Sequence, residues 1–221
     1  MERCRREKWF CAGVIYWMLN DCWPAASGWS LIDYYNQPKA AYYSFKRAAR
    51  PILLSIDYAD EKYHFYLCND GKEKELKFRW YIVSDMGDVV YQSLPQKISA
   101  AENKTVCLES RKEDILSEKQ FLVAEVSDNT HILDRAFYRK GILNICEKQG
   151  QIELLYDKDG YVGIKAMTYL HVVELEAEND LFEDNYFSIL PGEIRYIGRE
   201  NKEDQVRVKI YSFGDGKGNI Y

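Results

Sequence analysis

Trp17, Asn20, Asp21, Trp23 and Trp29 lie within a span of thirteen residues. These residue types at this spacing suit the wall of a sugar site. Sugar C–H faces stack on indole rings, and a neighbouring amide and carboxylate orient hydroxyls by hydrogen bonds. Trp17 is the stacking candidate. Asn20, Asp21 and Trp23 are the further substrate-binding candidates. No acid–base machinery accompanies them, so no residue is assigned a catalytic role. The same tryptophans would also serve as core filling in an ordinary strand–helix unit, and composition alone does not separate the two readings.

The flanking residues predict the elements that position this group. Residues 13–19 form an apolar run bounded by polar residues, the pattern of a strand buried on both faces. Residues 20–37 contain Pro24, Gly28 and Asn36 and read as a long structured loop. Pro38 suits a first helical turn. Ala41, Phe45 and Ala48 recur at helical spacing, and Lys46, Arg47 and Arg50 complement the helix C-terminus. Pro51 ends the helix. A single strand–loop–helix unit cannot bury both faces of its strand, so Val14 to Leu19 is expected to lack partners. It would pack opportunistically, stay disordered or pair with a second copy, and an exposed strand edge is a route to self-association.

From Ile52 onward the apolar period changes to two. Tyr63, Phe65 and Leu67 alternate with Lys62, His64 and Tyr66, and Phe78, Trp80 and Ile82 alternate with Lys77, Arg79 and Tyr81. Further strands are predicted at 89–91, 105–108, 121–126 and 132–138, with turns at Asn69-Asp70-Gly71 and Met86-Gly87-Asp88. This is the pattern of an immunoglobulin-like sandwich. A second set of strands follows at 152–156, 161–167, 170–175, 186–189, 194–197 and 206–211. Asp157-Lys158-Asp159-Gly160 is read as a hairpin turn, since the closing Glu of a calcium loop is missing. Gly214 to Gly218 is read as a frayed tail.

The bulk properties exclude several classes. A formal charge of −5 and a pI near 5.4 argue against nucleic acid and anionic membrane as partners. The apolar run at 11–19 is too short to cross a bilayer. Pro24-Ala25-Ala26-Ser27 imitates a cleavage site, but its Trp-rich flanks do not suit a signal peptide. The six cysteines (Cys4, Cys11, Cys22, Cys68, Cys107, Cys146) form no CxxC pair and no metal-ligand spacing. They point to reduced thiols and a cytoplasmic location, with no metal or other cofactor. His64, His131 and His171 stand far apart in predicted strands and are read as structural. The acidic run from Glu174 to Asp184 is read as a solvated loop and strand edge.

Two stretches carry a family resemblance. Trp17-x-x-Asn20-Asp21-x-Trp23-Pro24, followed by Gly28-Trp29-Ser30-x-x-Asp33-Tyr34-Tyr35 and Pro38-Lys39, resembles the last barrel strand and helix of the β-mannosidases of glycoside hydrolase family 2. Asp184-Asn185-Tyr186-Phe187-Ser188-Ile189-Leu190-Pro191-Gly192-Glu193 resembles a strand–turn of the terminal immunoglobulin-like domain in the same enzymes. The resemblance implies a mainly β chain: two immunoglobulin-like β-sandwiches preceded by a single βα unit from the end of a (β/α)8 barrel. It divides the chain at 1–50 (barrel remnant), 51–140 (first sandwich) and 141–221 (C-terminal sandwich).

The family consists of retaining exo-glycosidases that use two glutamates on earlier barrel strands. Glu2 and Glu7, which precede Trp17, match neither catalytic motif. The resemblance therefore implies substrate lining at Trp17, Asn20, Asp21 and Trp23, no catalytic residue, a β-mannoside as the ligand of the complete enzyme, and an upstream catalytic barrel as partner. On this reading the chain is inactive alone. The alternatives are a stand-alone carbohydrate-binding sandwich, with Tyr63, Tyr66, Trp80 and Tyr81 as candidates, or a protein-interaction module.

Overall fold

The structure is a computed structural model that describes all residues except 118, 141–144, 148–151, 157–159, 179, 202–204 and 214–221. The Asp157-Lys158-Asp159 turn, the boundary at 140/141 and the glycine-rich tail lie outside the described residues. The chain forms two compact units. One comprises Met1–Ile15 and Phe45–Gly141, the other Tyr16–Ser44 and Ile142–Tyr221.

The first unit contains α1 (Glu2–Arg6), the end of α2 (Ala40–Ala48), and eight strands: β1 (Ile52–Ala59), β2 (Lys62–Asn69), β3 (Lys74–Ser84), β4 (Val89–Gln92), β5 (Gln96–Ala100), β6 (Lys104–Lys112), β7 (Gln120–Ser127) and β8 (Ile132–Tyr138). One sheet has the order β1-β2-β6. The other has the order β4-β3-β7-β8, with β5 also on β3. The period-two pattern places the core as expected. Tyr63, Phe65 and Leu67 of β2 and Phe78, Trp80 and Ile82 of β3 all lie in one buried cluster. Phe65 meets Phe78 edge-on at 5.7 Å and stacks on Trp80 at 5.6 Å. Trp80 stands opposite Ala124 in the register of β3 and β7, so a large ring has a small neighbour.

Burial of these rings disposes of one sequence-based expectation. Tyr63, Trp80 and Tyr81 are buried and Tyr66 is half-buried, so this sandwich offers no exposed face built from the four aromatics proposed for it. The rings fill the space between sheets, where each buried side chain contributes roughly 1.5–3 kcal/mol. Two polar features brace the same unit. Leu54 N donates to Asp134 Oδ2 at 2.7 Å, and burial pushes that carboxyl up to about 6. Arg5 donates to the carbonyls of Ala48 (2.7 Å), Arg50 (2.6 Å) and Pro51 (3.2 Å), and pairs with Asp70 at 3.0 Å. A cation at the carbonyl end of α2 is well matched to the helix dipole.

The second unit carries β9 (Ile145–Glu147), β10 (Ile152–Tyr156), β11 (Tyr161–Ala166), β12 (Leu170–Glu176), β13 (Phe187–Ile189), β14 (Ile194–Gly198) and β15 (Arg207–Phe213). Its sheets run β10-β11-β14 and β13-β12-β15-β9. Val162, Ile164, Leu170, Val173, Phe187, Ile189, Ile197 and Ile210 close the core between them. The acidic run is only partly solvated: Glu178 and Glu183 are exposed, but two of its aspartates are buried. Asp180 is fully buried, pairs with Arg199 Nε at 2.6 Å and accepts from Asn201 N. Asp184 is buried against Arg195. An ionised side chain is tolerated there because each has a cation and a hydrogen bond. The Asp184-Asn185-Tyr186 motif has a clear structural role. Asn185 accepts from Leu175 N and donates to Leu175 O, both at 2.8 Å, so its amide replaces a ladder partner for β12.

Residues 13–19 form no strand. The pairings that flank them are isolated bridges, from Lys8 to Cys11, Asn20 to Ile32 and Ile32 to Pro38. A parallel strand needs neighbours on both edges, whereas Val14 to Leu19 belong to no strand ladder among the described residues and Met18 and Leu19 accept only loop bonds from Leu31 and Ile32. Ile15, Trp17 and Leu19 are exposed. The helix ends ahead of Pro51 as anticipated, but it begins at Ala40, and Pro38 lies before it in a bridge to Ile32.

Candidate functional site

The tryptophan-bearing loop lies within the second unit. Leu31 N and Ile32 N both donate to Leu19 O (3.0 and 2.8 Å), Asp21 N donates to Ile32 O, and Lys39 N donates to Leu31 O. These bonds fold residues 19–39 back on themselves. Asp33 closes the far end by accepting from the backbone of Tyr35 and Gln37, both at 2.8 Å, an Asx-type turn that leaves Asn36 at φ 65.

A buried polar lock holds the loop. Asp21 is only 6% exposed. Its Oδ1 accepts from Ser30 Oγ at 2.6 Å, its Oδ2 accepts from Lys39 Nζ at 2.6 Å, and Lys39 Nζ also donates to Ser30 Oγ at 2.7 Å. The hydrogen bonds from Lys39 and Ser30 hold the Asp21 carboxyl below its usual range. Gly28 makes room for the lock, since a Cβ there would stand 3.0 Å from Asp21 Oδ1.

The four sequence candidates therefore separate. Trp17 and Trp23 are 78% and 66% exposed, and Trp29, which shares their loop, is 69% exposed. Asn20 is exposed and its Nδ2 donates to the carbonyl of Asp21. Asp21 points inward. Its carboxylate is committed to Lys39 and Ser30, so it shapes the loop instead of presenting an oxygen to a hydroxyl. The Trp17–Met18 peptide is cis. Beside the lock, Pro24, Ala25, Ala26, Tyr34 and Tyr35 line a shallow cavity of about 230 Å³.

Sequence reasoning missed Ser30 and Lys39 as the partners of Asp21. The one signal was their presence in the same motif. They lie nine and eighteen residues beyond Asp21 with neither helix nor strand ladder between, so the pairing depends on the path of the loop. A larger cleft of about 730 Å³ in the same unit is lined by Gln37, Tyr43, Glu174, Tyr186 and Arg207, among others. Its polar groups already serve one another: Glu174 accepts from the hydroxyls of Tyr186 and Tyr211, both at 2.8 Å. Among the described residues no group of three or more His, Cys, Asp or Glu side chains could hold a metal ion, and no helix is long and apolar enough to cross a membrane.

No family model matches the chain. Among curated proteins, β-mannosidase B of Aspergillus niger is 32% identical over 85 residues, covering 37% of this chain and 10% of that protein. β-Mannosidase B of Thermothelomyces thermophilus is 47% identical over 47 residues, covering 21% and 5%. Among solved structures, the β-D-mannosidase of Dictyoglomus thermophilum has a TM-score of 0.79 at 24% identity, covering 94% of this chain and 27% of that one. The exo-chitosanase of Amycolatopsis orientalis has a TM-score of 0.68 at 17% identity, covering 92% and 31%. The chain thus spans about a tenth of the length of the first curated relative and under a third of either solved chain. Its motif, its sequence matches and a fold shared along nearly its whole length make it a β-mannosidase-like region of the glycoside hydrolase family 2 type.

Proposed function

We propose that this chain is the C-terminal part of a β-mannosidase-like glycoside hydrolase whose complete form removes terminal β-mannose by a retaining mechanism. The observation that carries the proposal is the locked loop. Asp21, Ser30 and Lys39 fix a backbone that turns Trp17, Trp23 and Trp29 outward, an arrangement suited to stacking on a sugar face. Trp17 is the stacking residue, and Asn20 and Trp23 line the same wall. Asp21 acts as a positioning residue.

The chain alone is proposed to be catalytically silent. A retaining mechanism needs two carboxyl groups held about 5–5.5 Å apart, one as nucleophile and one as acid–base. Neither Glu2 nor Glu7 matches the family's motifs, and the loop's own carboxylate at Asp21 is tied to a lysine. Incubation of the purified chain with an activated aryl β-mannoside is expected to release no aryl alcohol above the buffer rate. Turnover that saturates with substrate would overturn the assignment of the chain as an accessory region. The longer protein containing it is expected to hydrolyse the same substrate, and a Trp17→Ala variant of that protein to lose at least tenfold in kcat/KM.

A further inference from the structure

On the outer face of the β1-β2-β6 sheet the fold brings together a histidine and a serine that the sequence keeps 46 residues apart. Core positions on β2 are Tyr63, Phe65 and Leu67, so alternation turns Lys62, His64 and Tyr66 outward. Register gives each of them an outward partner on β6. Lys62 stands opposite Lys112, His64 opposite Ser110 and Tyr66 opposite Cys107. On its other side His64 stands opposite Asp57 of β1. The register shifts between Phe65 and Tyr66, and β6 carries an extra residue there. That bulge puts Cys107 and Ser110 on one face although they are three residues apart.

The hydrogen bonds fix the direction of the proton. His64 Nε2 lies 3.2 Å from the carbonyl of Ala59, and Nδ1 lies 2.8 Å from Ser110 Oγ. A carbonyl only accepts, so in the neutral ring Nε2 carries the hydrogen and Nδ1 presents its lone pair. Ser110 therefore donates to Nδ1. Cys107 Sγ stands 3.7 Å from the same Oγ and 3.6 Å from the carbonyl of Glu109. With the serine hydrogen committed to His64, the thiol is the donor on that side. A hydroxyl, an adjacent base and a third group that sets the base's tautomer are the parts of an activated nucleophile. His64 is half-buried and Ser110 is exposed, so a reagent reaches Oγ from solvent. Asp57 is paired with Arg6 of α1 at 3.0 Å, and Arg6 also lies 5.7 Å from the ring centre of Tyr66. Two lysines supply an independent feature. Lys62 and Lys112 face each other across the strands, although like charges directly opposite each other repel. Both are exposed, and neither has a hydrogen bond or ion pair among the described residues. An anion between them relieves the repulsion. They stand two residues along the strands from His64 and Ser110, roughly 7 Å, within reach of a flexible lysine stem.

We infer that Ser110 is an acyl-acceptor site, which takes its acyl group from an anionic donor of the acyl phosphate class. The electrophile follows from the nucleophile and base, and the charge of the donor follows from the lysine pair. Ser110 Oγ attacks the acyl carbon and forms the ester bond. The bond from that carbon to the phosphate oxygen breaks, and its electron pair stays on the phosphate. The hydroxyl proton passes to His64 Nδ1 and from there to the departing phosphate. The products are O-acyl Ser110 and inorganic phosphate. Lys62 and Lys112 hold the phosphate and offset the charge it gains as it leaves. Cys107 and the Ala59 carbonyl are positioning groups: one holds Oγ and the other holds the ring. The tryptophan loop takes no part, so the site is independent of the proposed function.

The test uses the full chain with two acetyl donors, acetyl phosphate as the anion and para-nitrophenyl acetate as the neutral control. Peptide mapping by mass spectrometry gives the rate at each side chain. Ser110 is expected to be acetylated by both donors, faster than the exposed Ser117. His64→Gln, which keeps a polar side chain and removes the base, should slow Ser110 by at least about tenfold with either donor. The Lys62→Ala/Lys112→Ala double variant should slow it roughly fivefold with acetyl phosphate and leave the neutral ester unaffected. Thermal unfolding midpoints of these surface variants should stay close to that of the parent chain, which separates the loss of a base from the loss of the fold. Acetyl groups confined to lysine or cysteine side chains, or a Ser110 rate no faster than that of Ser117, would overturn the site. A Ser110 rate that His64→Gln leaves unchanged would do the same. Equal slowing of both donors in the lysine variant would overturn the assignment of an anionic donor.

Discussion

The two sandwiches use aromatic residues in opposite ways. In the first unit Tyr63, Phe65, Phe78 and Trp80 face inward and touch one another across the gap between sheets. In the second the core cluster is aliphatic apart from two phenylalanines, and Tyr161 and Tyr196 lie outside, the ring of Tyr196 over Gly163. Period two alone describes both sets of strands. The fate of a ring is decided by its cross-strand partner: Trp80 faces Ala124 within a core, whereas Tyr196 faces Gly163 on an open surface. An aromatic residue in a strand is therefore a packing element or a contact surface according to what the next strand leaves empty.

The largest expected effect tests the inward set. Phe65→Ala removes a fully buried ring that touches two others, and should cost the first unit about 3–5 kcal/mol in denaturant unfolding. A cost below about 1 kcal/mol would mean that this core does not depend on its rings. Tyr196→Ala on the outward set should shift stability by no more than about 0.5 kcal/mol.

The next effect is electrostatic. Asp134 titrates near 6 in the folded chain because it is buried, against an ordinary value of 3.8. Its folded value is raised, so the folded state holds the proton more tightly and the contribution is greatest below the unfolded pKa. That stability is lost as pH rises from about 4 through about 6, by roughly 2–3 kcal/mol for a shift of this size. Unfolding of the parent chain and of Asp134→Asn across that range checks the sign, since the variant should lack this slope. Asp128 makes the opposite contribution. Its carboxylate accepts from the backbone of Thr130 and His131, which lowers its pKa to about 2. Its stabilisation is present above the ordinary carboxylate range and is lost as pH falls toward 2.

A smaller effect sharpens the difference between buried and exposed tyrosines. The Tyr63 hydroxyl is buried without a hydrogen-bond partner. Tyr63→Phe should therefore stabilise the first unit by about 1 kcal/mol, since it deletes a polar atom that folding strips of water. A loss of that size would show that the hydroxyl is satisfied. Tyr196→Phe, at the surface, should leave stability unchanged within measurement.

Most of the strand positions were legible in the sequence because burial on one face imposes a period that residue types record directly. Phe78-Arg79-Trp80-Tyr81-Ile82 reads as a strand whatever surrounds it. Residues 13–19 were not legible in this way. Their apolar run records a demand for strand neighbours on both edges, and the described residues meet it with loop bonds from Leu31 and Ile32 to Met18 and Leu19 instead of a ladder. The lock at Asp21 was hidden for a different reason: Lys39 reaches it only after the chain turns at Gly28 and again at Asp33. The Tyr196–Gly163 pairing was equally hidden, because register between non-consecutive strands is a property of the folded sheet. Asp180 and Asp184 read as solvated because composition does not show which arginine will face them.

The bonds made by Arg5 to the carbonyls of Ala48, Arg50 and Pro51 have one more consequence. They join two points of the backbone more than forty residues apart, so the intervening segment behaves as a non-covalently closed ring. A single protease cut within the tryptophan loop would leave both new ends anchored, at the Arg5 clamp on one side and through α2 on the other. The nicked chain would run as one species under native conditions and as two fragments only once unfolded.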